Sequence, residues 1–296
     1  MDRDGARGVS TVVDGLTATT FWVNGRLVPD AEATTSARDH GFVVGDGVFE
    51  AVKVDRGRLF ALTRHLERMG RSAAGIGLRG FDPEVVRRAA HEVLEANAAV
   101  LTGAYDLLRI TFTAGPGLLG SGRVDSPPTL VLGVTPGHDP DPETAVVTVP
   151  YRRNDVGALT GLKTTSYGEN VLALAQAHAA GASEAVFANT RGMLCEGTGT
   201  NVFVVRDGEL LTPPLSSGCL AGVTRALVLE WYGGREADLP YDALTTADEV
   251  FLTSSGRDVQ PVVAVDGAPV ADGAPGPVTR AAAEAFAAGQ RRHVDP

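Results

Sequence analysis

Three short turn signatures interrupt runs of alternating apolar residues, and they constrain this chain more than any other feature. Asn24-Gly25 divides "FWVNGRLVP", Asp55-Arg56-Gly57 follows "GVFEAVKV", and Asp207-Gly208 divides "GTNVFVVRDGELLTPP". Asn-Gly and Asp-Gly accept the positive φ of a tight hairpin turn. Alternation at period two places the apolar side chains of such strands on one face. Each signature therefore predicts a pair of adjacent antiparallel strands, and they fall in both halves of the chain.

Between and after these hairpins the period changes. "LTRHLERMGRSAAGIGL" has helical spacing and ends in glycines, and "DPEVVRRAAHEVLEANA" opens with Asp82 as a cap and Pro83 at the first helical position. "YDLLRITFTAG" and "PTLVLGVTP" read as strands, and "DHGFVVGDG" as a glycine-rich turn. The first part thus reads β-β-β-α-α-β-β. Thr135 to Ala145, "TPGHDPDPETA", has the Pro, Asp and Gly content of a linker. Beyond it come strand "AVVTVPY", a helix from Asn170 to Ala180, strand "EAVFAN" and the third hairpin. A helix from Thr224 to Trp231, strand–turn–strand "ADEVFLTSSGRDVQPVVAVDG" and a closing helix "GPVTRAAAEAFAAGQRR" complete the chain. The expected fold class is α+β in two domains, with mostly antiparallel sheets and packed helices. A flexible leader is expected over 1–20, a smaller domain over 21–136, a linker over 137–145 and a larger domain over 146–296.

Composition narrows the partners. With 296 residues the chain can bury a sizeable core, and its formal net charge of −10 lacks the basic surface that nucleic acid requires. The same charge disfavours docking on an anionic membrane, and no apolar run reaches the length of a span. Small anions stay accessible, because local arginines and helix N-termini act at short range. Cys195 and Cys219 are far apart and lack metal-ligand spacing, which suits a reducing compartment; a cytoplasmic location is expected.

Four groups of residues carry candidate chemistry. Lys163, in "TGLKTTSYGENVLALAQA", follows an apolar residue and precedes a hydroxyl cluster and a helix. A desolvated lysine there is a Schiff-base nucleophile; the alternative is a strand-end lysine with its head in water. Glu196, in "MLCEGTGTNVFVV", either holds a proton on a heterocyclic nitrogen or accepts backbone hydrogen bonds in a loop. Gly222 and Thr224 in "LAGVTRALVLEW", with Thr253, Ser254, Ser255 and Gly256 in "LTSSGRDV", offer amides and hydroxyls to an anion, or form ordinary turns. Arg68 shares a helix face with His65, and Arg109 lies inside the strand "DLLRITF", where a guanidinium needs an anion from a side chain or a ligand.

Taken in order, "GDGVFE", "HLERM", the arginine strand, "LKTTSYGEN", "CEGTGTNVF", "SSGCLAGVTR" and "VFLTSSGRDVQPV" resemble the class IV aminotransferase family. These are pyridoxal 5′-phosphate enzymes of fold type IV, and the resemblance spans residues 21–285. It implies that Lys163 carries the cofactor and later shuttles the proton, and that Glu196 pairs with the pyridine nitrogen. It implies that Arg68 clamps the phosphate, with the amides of Val223 and Thr224 and the hydroxyl of Ser255. Arg109 is then the group that faces a substrate carboxylate, assisted by the amides of Ser255 and Gly256, and Phe42 lines the substrate pocket. A homodimer with sites near the subunit interface is also implied.

Amino transfer and β-elimination share this machinery, so the family does not decide the reaction. Glu169-Asn170 soon after the lysine, and the block "GASEAVFANTRGMLCEGTGTNVFVV", resemble 4-amino-4-deoxychorismate lyases. Pyruvate elimination from that amino-cyclohexadiene, giving 4-aminobenzoate for folate synthesis, is accordingly the expected reaction. Against it, Ala114-Gly115 stands where lyases carry Arg-Gly. Amino transfer from branched-chain L-amino acids, supported by Arg109, is the alternative, followed by D-amino acids or (R)-amines. A catalytically silent metabolite-binding homologue is disfavoured by the joint presence of Lys163, Glu196 and Arg68.

Overall fold

The computed structural model describes residues 17–137 and 139–296, so residues 1–16 of the expected leader lie outside the described residues. The first half comprises β1 (Thr20–Val23), β2 (Arg26–Pro29), α1 (His40–Val44), β3 (Gly47–Asp55), β4 (Arg58–Leu59), α2 (Leu62–Gly75), α3 (Pro83–Ala96), β5 (Asp106–Thr113) and β6 (Thr129–Thr135). The first two turn signatures make the expected hairpins: Val23 pairs with Arg26 around Asn24-Gly25, and Asp55 with Arg58. Asp82 caps α3 by accepting from the N–H groups of Glu84 and Val85.

The strands form an antiparallel sheet in the order β2-β1-β6-β5-β3-β4. Period two decides which face is buried. Val48, Val52 and Val54 of β3, Leu108 and Ile110 of β5 and Leu132 of β6 meet Leu62, Leu66, Met69 and Ala73 of α2 and Val86, Ala89 and Val93 of α3. Each buried valine, leucine, isoleucine or methionine among them contributes on the order of 1.5–3 kcal/mol by leaving water. The alternate residues Phe49, Ala51, Arg109 and Thr111 take the opposite face, which looks toward the second half.

That second half holds β7 (Thr144–Arg153), α4 (Gly168–Ala179), β8 (Glu184–Asn189), β9 (Leu194–Gly197), β10 (Asn201–Arg206), β11 (Glu209–Thr212), α5 (Val223–Trp231), β12 (Arg235–Glu236), α6 (Ala243–Thr246), β13 (Glu249–Ser254), β14 (Asp258–Val265), β15 (Ala268–Pro269) and α7 (Pro277–Arg292). Its sheet runs β12-β11-β10-β13-β14-β7-β8-β9, with β15 beside β14. Hairpin pairing holds where the turns are short, but β7 lies parallel to both β14 and β8, and β12 parallel to β11. The sheet is therefore mixed. It is buried on both faces, against Leu239, Ala243 and Leu244 on one, and against α4, α5 and α7 on the other. No helix among the described residues is long and apolar enough to cross a membrane.

An aromatic cluster and a buried ion pair are among the contacts that join the halves. Phe60, after β4, packs edge-on to Phe286 of α7 at 6.0 Å and lies 6.4 Å from Trp231 of α5. Lys53, whose side chain is 3% exposed, donates to Asp258 Oδ2 at 2.5 Å and sits over the Tyr105 ring. Burial raises the Asp258 pKa, with Lys53 opposing it. Removing one member of a buried pair strands the other charge, which costs about 3–5 kcal/mol. Lys53→Met should accordingly lower the urea midpoint strongly. Lys53→Met with Asp258→Asn should recover most of the loss, because asparagine keeps the positive φ of 53° at position 258. Equal losses in the single and double variants would show that the pair does not hold the halves together.

Candidate active site

The segment that bears Lys163 is built as an extra edge beside β3. Phe49 N–H donates to Lys163 O at 3.0 Å, Thr165 N–H donates to Gly47 O at 2.8 Å, and Val48 faces Thr164 in an antiparallel bridge. Lys163 N–H donates to Ser72 Oγ of α2 at 3.1 Å. The hydroxyl cluster after the lysine completes the seam, because Thr165 and Ser166 donate to Gly45 O at 2.9 and 3.2 Å. Gly45 closes α1 with φ of 69°, and a Cβ there would lie 2.6 Å from Ser166 Oγ, so glycine is required twice over.

With its backbone fixed on the first half, Lys163 points into a cleft of about 300 Å³ lined by both halves. Its Nζ donates to Tyr167 Oη at 3.3 Å and lies 4.3 Å from the centre of the Phe49 ring. Across the cleft, Glu196 is carried by β9, paired with Phe187 of β8. Glu196 Oε2 accepts from Leu220 N–H at 2.8 Å. Its Oε1 lies 3.1 Å from Arg153 Nε and accepts no hydrogen bond among the described residues, which leaves it open to a donor from a ligand.

At the far end, α5 begins at Gly222 with no capping side chain, so the first-turn amides at Val223 and Thr224 have no side-chain acceptor. Gly222 allows close packing, since a Cβ would displace the Asn201 amide. Arg68 enters from α2. Its Nε and Nη2 donate to the two oxygens of Glu50 at 2.8 and 2.6 Å, and its Nη1 donates to Ala221 O at 3.0 Å. Burial alone would raise the Glu50 pKa, but Arg68 and then His65 outweigh it and hold the carboxyl well below its ordinary range. His65 Nδ1 lies 2.7 Å from Glu50 Oε2, and its Nε2 lies 3.5 Å from Ser255 Oγ. Burial lowers the His65 pKa more than Glu50 raises it. A neutral ring donating to Glu50 then presents a lone pair to Ser255. The third wall, Thr198 to Thr200, is held by the buried Glu184, which accepts from Thr198 N–H at 3.0 Å and Gly199 N–H at 3.2 Å.

Of the residues expected from sequence, Lys163, Glu196, Arg68, Val223, Thr224, Ser255 and Gly256 meet around this cleft. Arg109 stands beside it, exposed on the free face of the first sheet with its guanidinium 3.4 Å from the Phe49 ring centre. Phe42 is not among the residues lining this cleft: it is 77% exposed on α1 and borders a groove with Thr111, Thr113 and Val131. Sequence reasoning missed Tyr167, Arg153 and Glu50. Glu50 did leave a signal: in "VFEAVKV" it occupies an alternation position shared with Val48, Val52 and Val54, which is a core position. Tyr167 and Glu196 also border a neighbouring cavity of about 480 Å³, walled by Leu159, Leu162, Thr164 and Ser166.

Comparison with known proteins agrees with this arrangement. A family model described as amino-transferase class IV matches residues 47–265. The chain is 33% identical over 279 residues to a Methanocaldococcus jannaschii protein named "Putative branched-chain-amino-acid aminotransferase", covering 90% of this chain and 94% of that one. It is 31% identical over 274 residues to the D-alanine aminotransferase of Bacillus licheniformis, covering 87% and 92%. The crystal structure of the branched-chain aminotransferase of the thermophilic archaeon Thermoproteus uzoniensis, with norvaline, superposes with a TM-score of 0.83 at 28% identity, covering 92% and 94%.

Burial, reinforced by repulsion from Arg68, lowers the Lys163 pKa from 10.5 to about 8. A lysine shifted this way destabilises the fold while protonated, so the penalty is present below pH 8 and fades as pH rises toward 10.5. The unprotonated amine is the nucleophile. Reductive methylation of Lys163, followed by mass spectrometry, should therefore reach half its maximal rate near pH 8. Lys163 and Lys53 are the two lysines of the chain, so the modified peptide is unambiguous. A midpoint near 10.5 would show an amine that is not desolvated.

Proposed function

The chain belongs to the class IV aminotransferase family, and from that premise we propose that it transfers amino groups between amino acids and 2-oxo acids in the Lys163 cleft. Its cofactor is pyridoxal 5′-phosphate, which when bound supplies an aldehyde electrophile and a ring that accepts electron density. The observation that carries the reading is the matching of three separate demands by one cleft. A desolvated amine, an unfilled carboxylate oxygen and an uncapped helix N-terminus stand around it.

In this reading Lys163 Nζ would hold the cofactor through its aldehyde, and as a neutral amine it would serve as the base toward the substrate's α-proton. Tyr167 Oη, 3.3 Å from that nitrogen, orients it. Glu196 Oε1 would accept the ring N–H, and the amides of Val223 and Thr224, with Arg68 and Ser255, would take the phosphate. Glu50 holds the Arg68 plane from two sides, so that the guanidinium is fixed before any anion arrives. Arg109, whose guanidinium lies over the Phe49 ring, and the Ser255–Gly256 amides would serve the substrate carboxylate.

A second reading, pyruvate elimination from 4-amino-4-deoxychorismate, is favoured by one feature. The neighbouring 480 Å³ cavity shares Tyr167, Glu196 and Leu220 with the cleft and offers more room than an aliphatic side chain needs. One assay separates the two. L- and D-amino acids supplied with 2-oxoglutarate or pyruvate should yield new amino acids under amino transfer, whereas release of 4-aminobenzoate from aminodeoxychorismate would install the lyase. Lys163→Ala should reduce kcat by on the order of 10²–10⁴ in either case, and near-normal turnover would remove the base assignment.

We further infer that the protein is a homodimer, with a second copy covering α1 and the loop fastened to it. Phe42, Val44, Leu118 and Leu119 are all more than one-third exposed, and His40 Nε2 lies 3.1 Å from Leu118 O. Solitary apolar residues on a surface are ordinary, but a cluster implies a partner. Sedimentation of Phe42→Asp should show a smaller species than the parent chain. A parent chain that sediments as a monomer would refute the inference.

A further inference from the structure

Arg153 is a charged side chain that the assignments above leave without a task. It ends β7, where a shift of register between Thr148 and Arg152 brings Arg153 opposite Asn189 of β8. Its side chain is 16% exposed and lies over Phe187, with the guanidinium carbon 4.3 Å from the ring centre. Phe187 is the β8 partner of Glu196, so one residue pair of the sheet sets both the arginine and the carboxylate. Nη1 of Arg153 donates to Asn170 Oδ1 at 3.0 Å, and Asn170 in turn donates to Thr198 O. Nε lies 3.1 Å from Glu196 Oε1 and is buried without a hydrogen-bond partner, so its contact with Glu196 is charge against charge.

We propose that Arg153 is a positioning residue that keeps Glu196 ionised, and through it keeps the cofactor's ring nitrogen protonated. The proposal rests on the placement of Glu196 at that nitrogen given above. A carboxylate this buried is driven toward its neutral form, and the charges around it decide whether it yields. Lys163 also opposes that drive, but its amine is the group that would bind the aldehyde, so its charge is not fixed. Arg68, from α2, is already engaged by both oxygens of Glu50. Glu184, from β8, repels Glu196, and Tyr167, at the start of α4, is neutral because burial pushes its pKa up to about 12. The thiols of Cys195 and Cys219 are likewise held protonated, with Glu196 adding to the effect of burial. Among the described residues, Arg153 is the permanent cation left to Glu196. Burial still raises the Glu196 pKa on balance, and Arg153 is the largest influence opposing it.

The consequence is a linked pair of protons. Without the guanidinium, Glu196 takes up a proton at higher pH, and a neutral carboxyl holds the ring N–H poorly. The ring nitrogen then loses its proton at lower pH. Holoenzyme loaded with ¹⁵N-pyridine-labelled pyridoxal 5′-phosphate reports this directly by the ¹⁵N shift across a pH series. Arg153→Met should move the midpoint of ring deprotonation down by at least about one pH unit, and Arg153→Lys, which keeps the charge, should restore most of it. Glu196→Gln should leave the ring unprotonated throughout.

An unchanged midpoint in Arg153→Met, alongside a deprotonated ring in Glu196→Gln, would overturn the role of Arg153 alone. A protonated ring in Glu196→Gln would instead overturn the placement of Glu196. Should Arg153→Met fail to fold, Asn170→Ala, which releases Nη1, takes its place: a midpoint shifted the same way supports the proposal, and an unshifted one defeats it.

Discussion

One hydrogen bond organises much of this molecule: Phe49 N–H to the carbonyl of Lys163, at 3.0 Å. It makes the lysine segment an edge of the first sheet, although the chain has already entered the second half. Every wall of the cleft then has a defined distance from the amine. Ser72 supports the same residue from α2, and the hydroxyls of Thr165 and Ser166 reach back to Gly45. Burial does the rest, since an amine held in that seam cannot turn outward to water. Its lowered pKa is a result of where the backbone goes.

The second organising element is electrostatic. Glu50 stands in a row of valines with its carboxylate wholly inside, and Arg68 and His65 close around it. A lone carboxylate there would be costly, and a bidentate arginine with a histidine makes it tolerable. The arrangement rigidifies α2 against β3 and presents Nη1 of Arg68 toward Ala221 at the head of α5. The guanidinium that neutralises Glu50 thus also ties α2 to the head of α5.

Much of the fold was legible because its signals are local. Hairpin turns, the Asp82-Pro83 helix start and strand alternation each act within a few residues. The helix α1 was not legible: five residues, "HGFVV", are too few for a period, and its glycines read as a turn. The parallel pairing of β7 with β8 and β14 depends on partners 35 or more residues away, which no local pattern announces. In the site, Lys163 and Glu196 stood out as charges in apolar surroundings. Arg153 did not, because a charge at the end of a strand reads as solvated. Its burial depends on Phe187, met only after the fold closes. Phe42, expected to line the substrate pocket, is exposed on α1.

The two lysines of this chain are both buried, one in the seam and one locked between the halves, while the arginines supply the basic charge of the surface. The exterior therefore carries no ε-amine. Acylation, ubiquitin attachment at lysine and amine-directed cross-linking find no side-chain target on the folded form. Any lysine adduct recovered from this protein is consequently a report on the cleft or on opening between its halves.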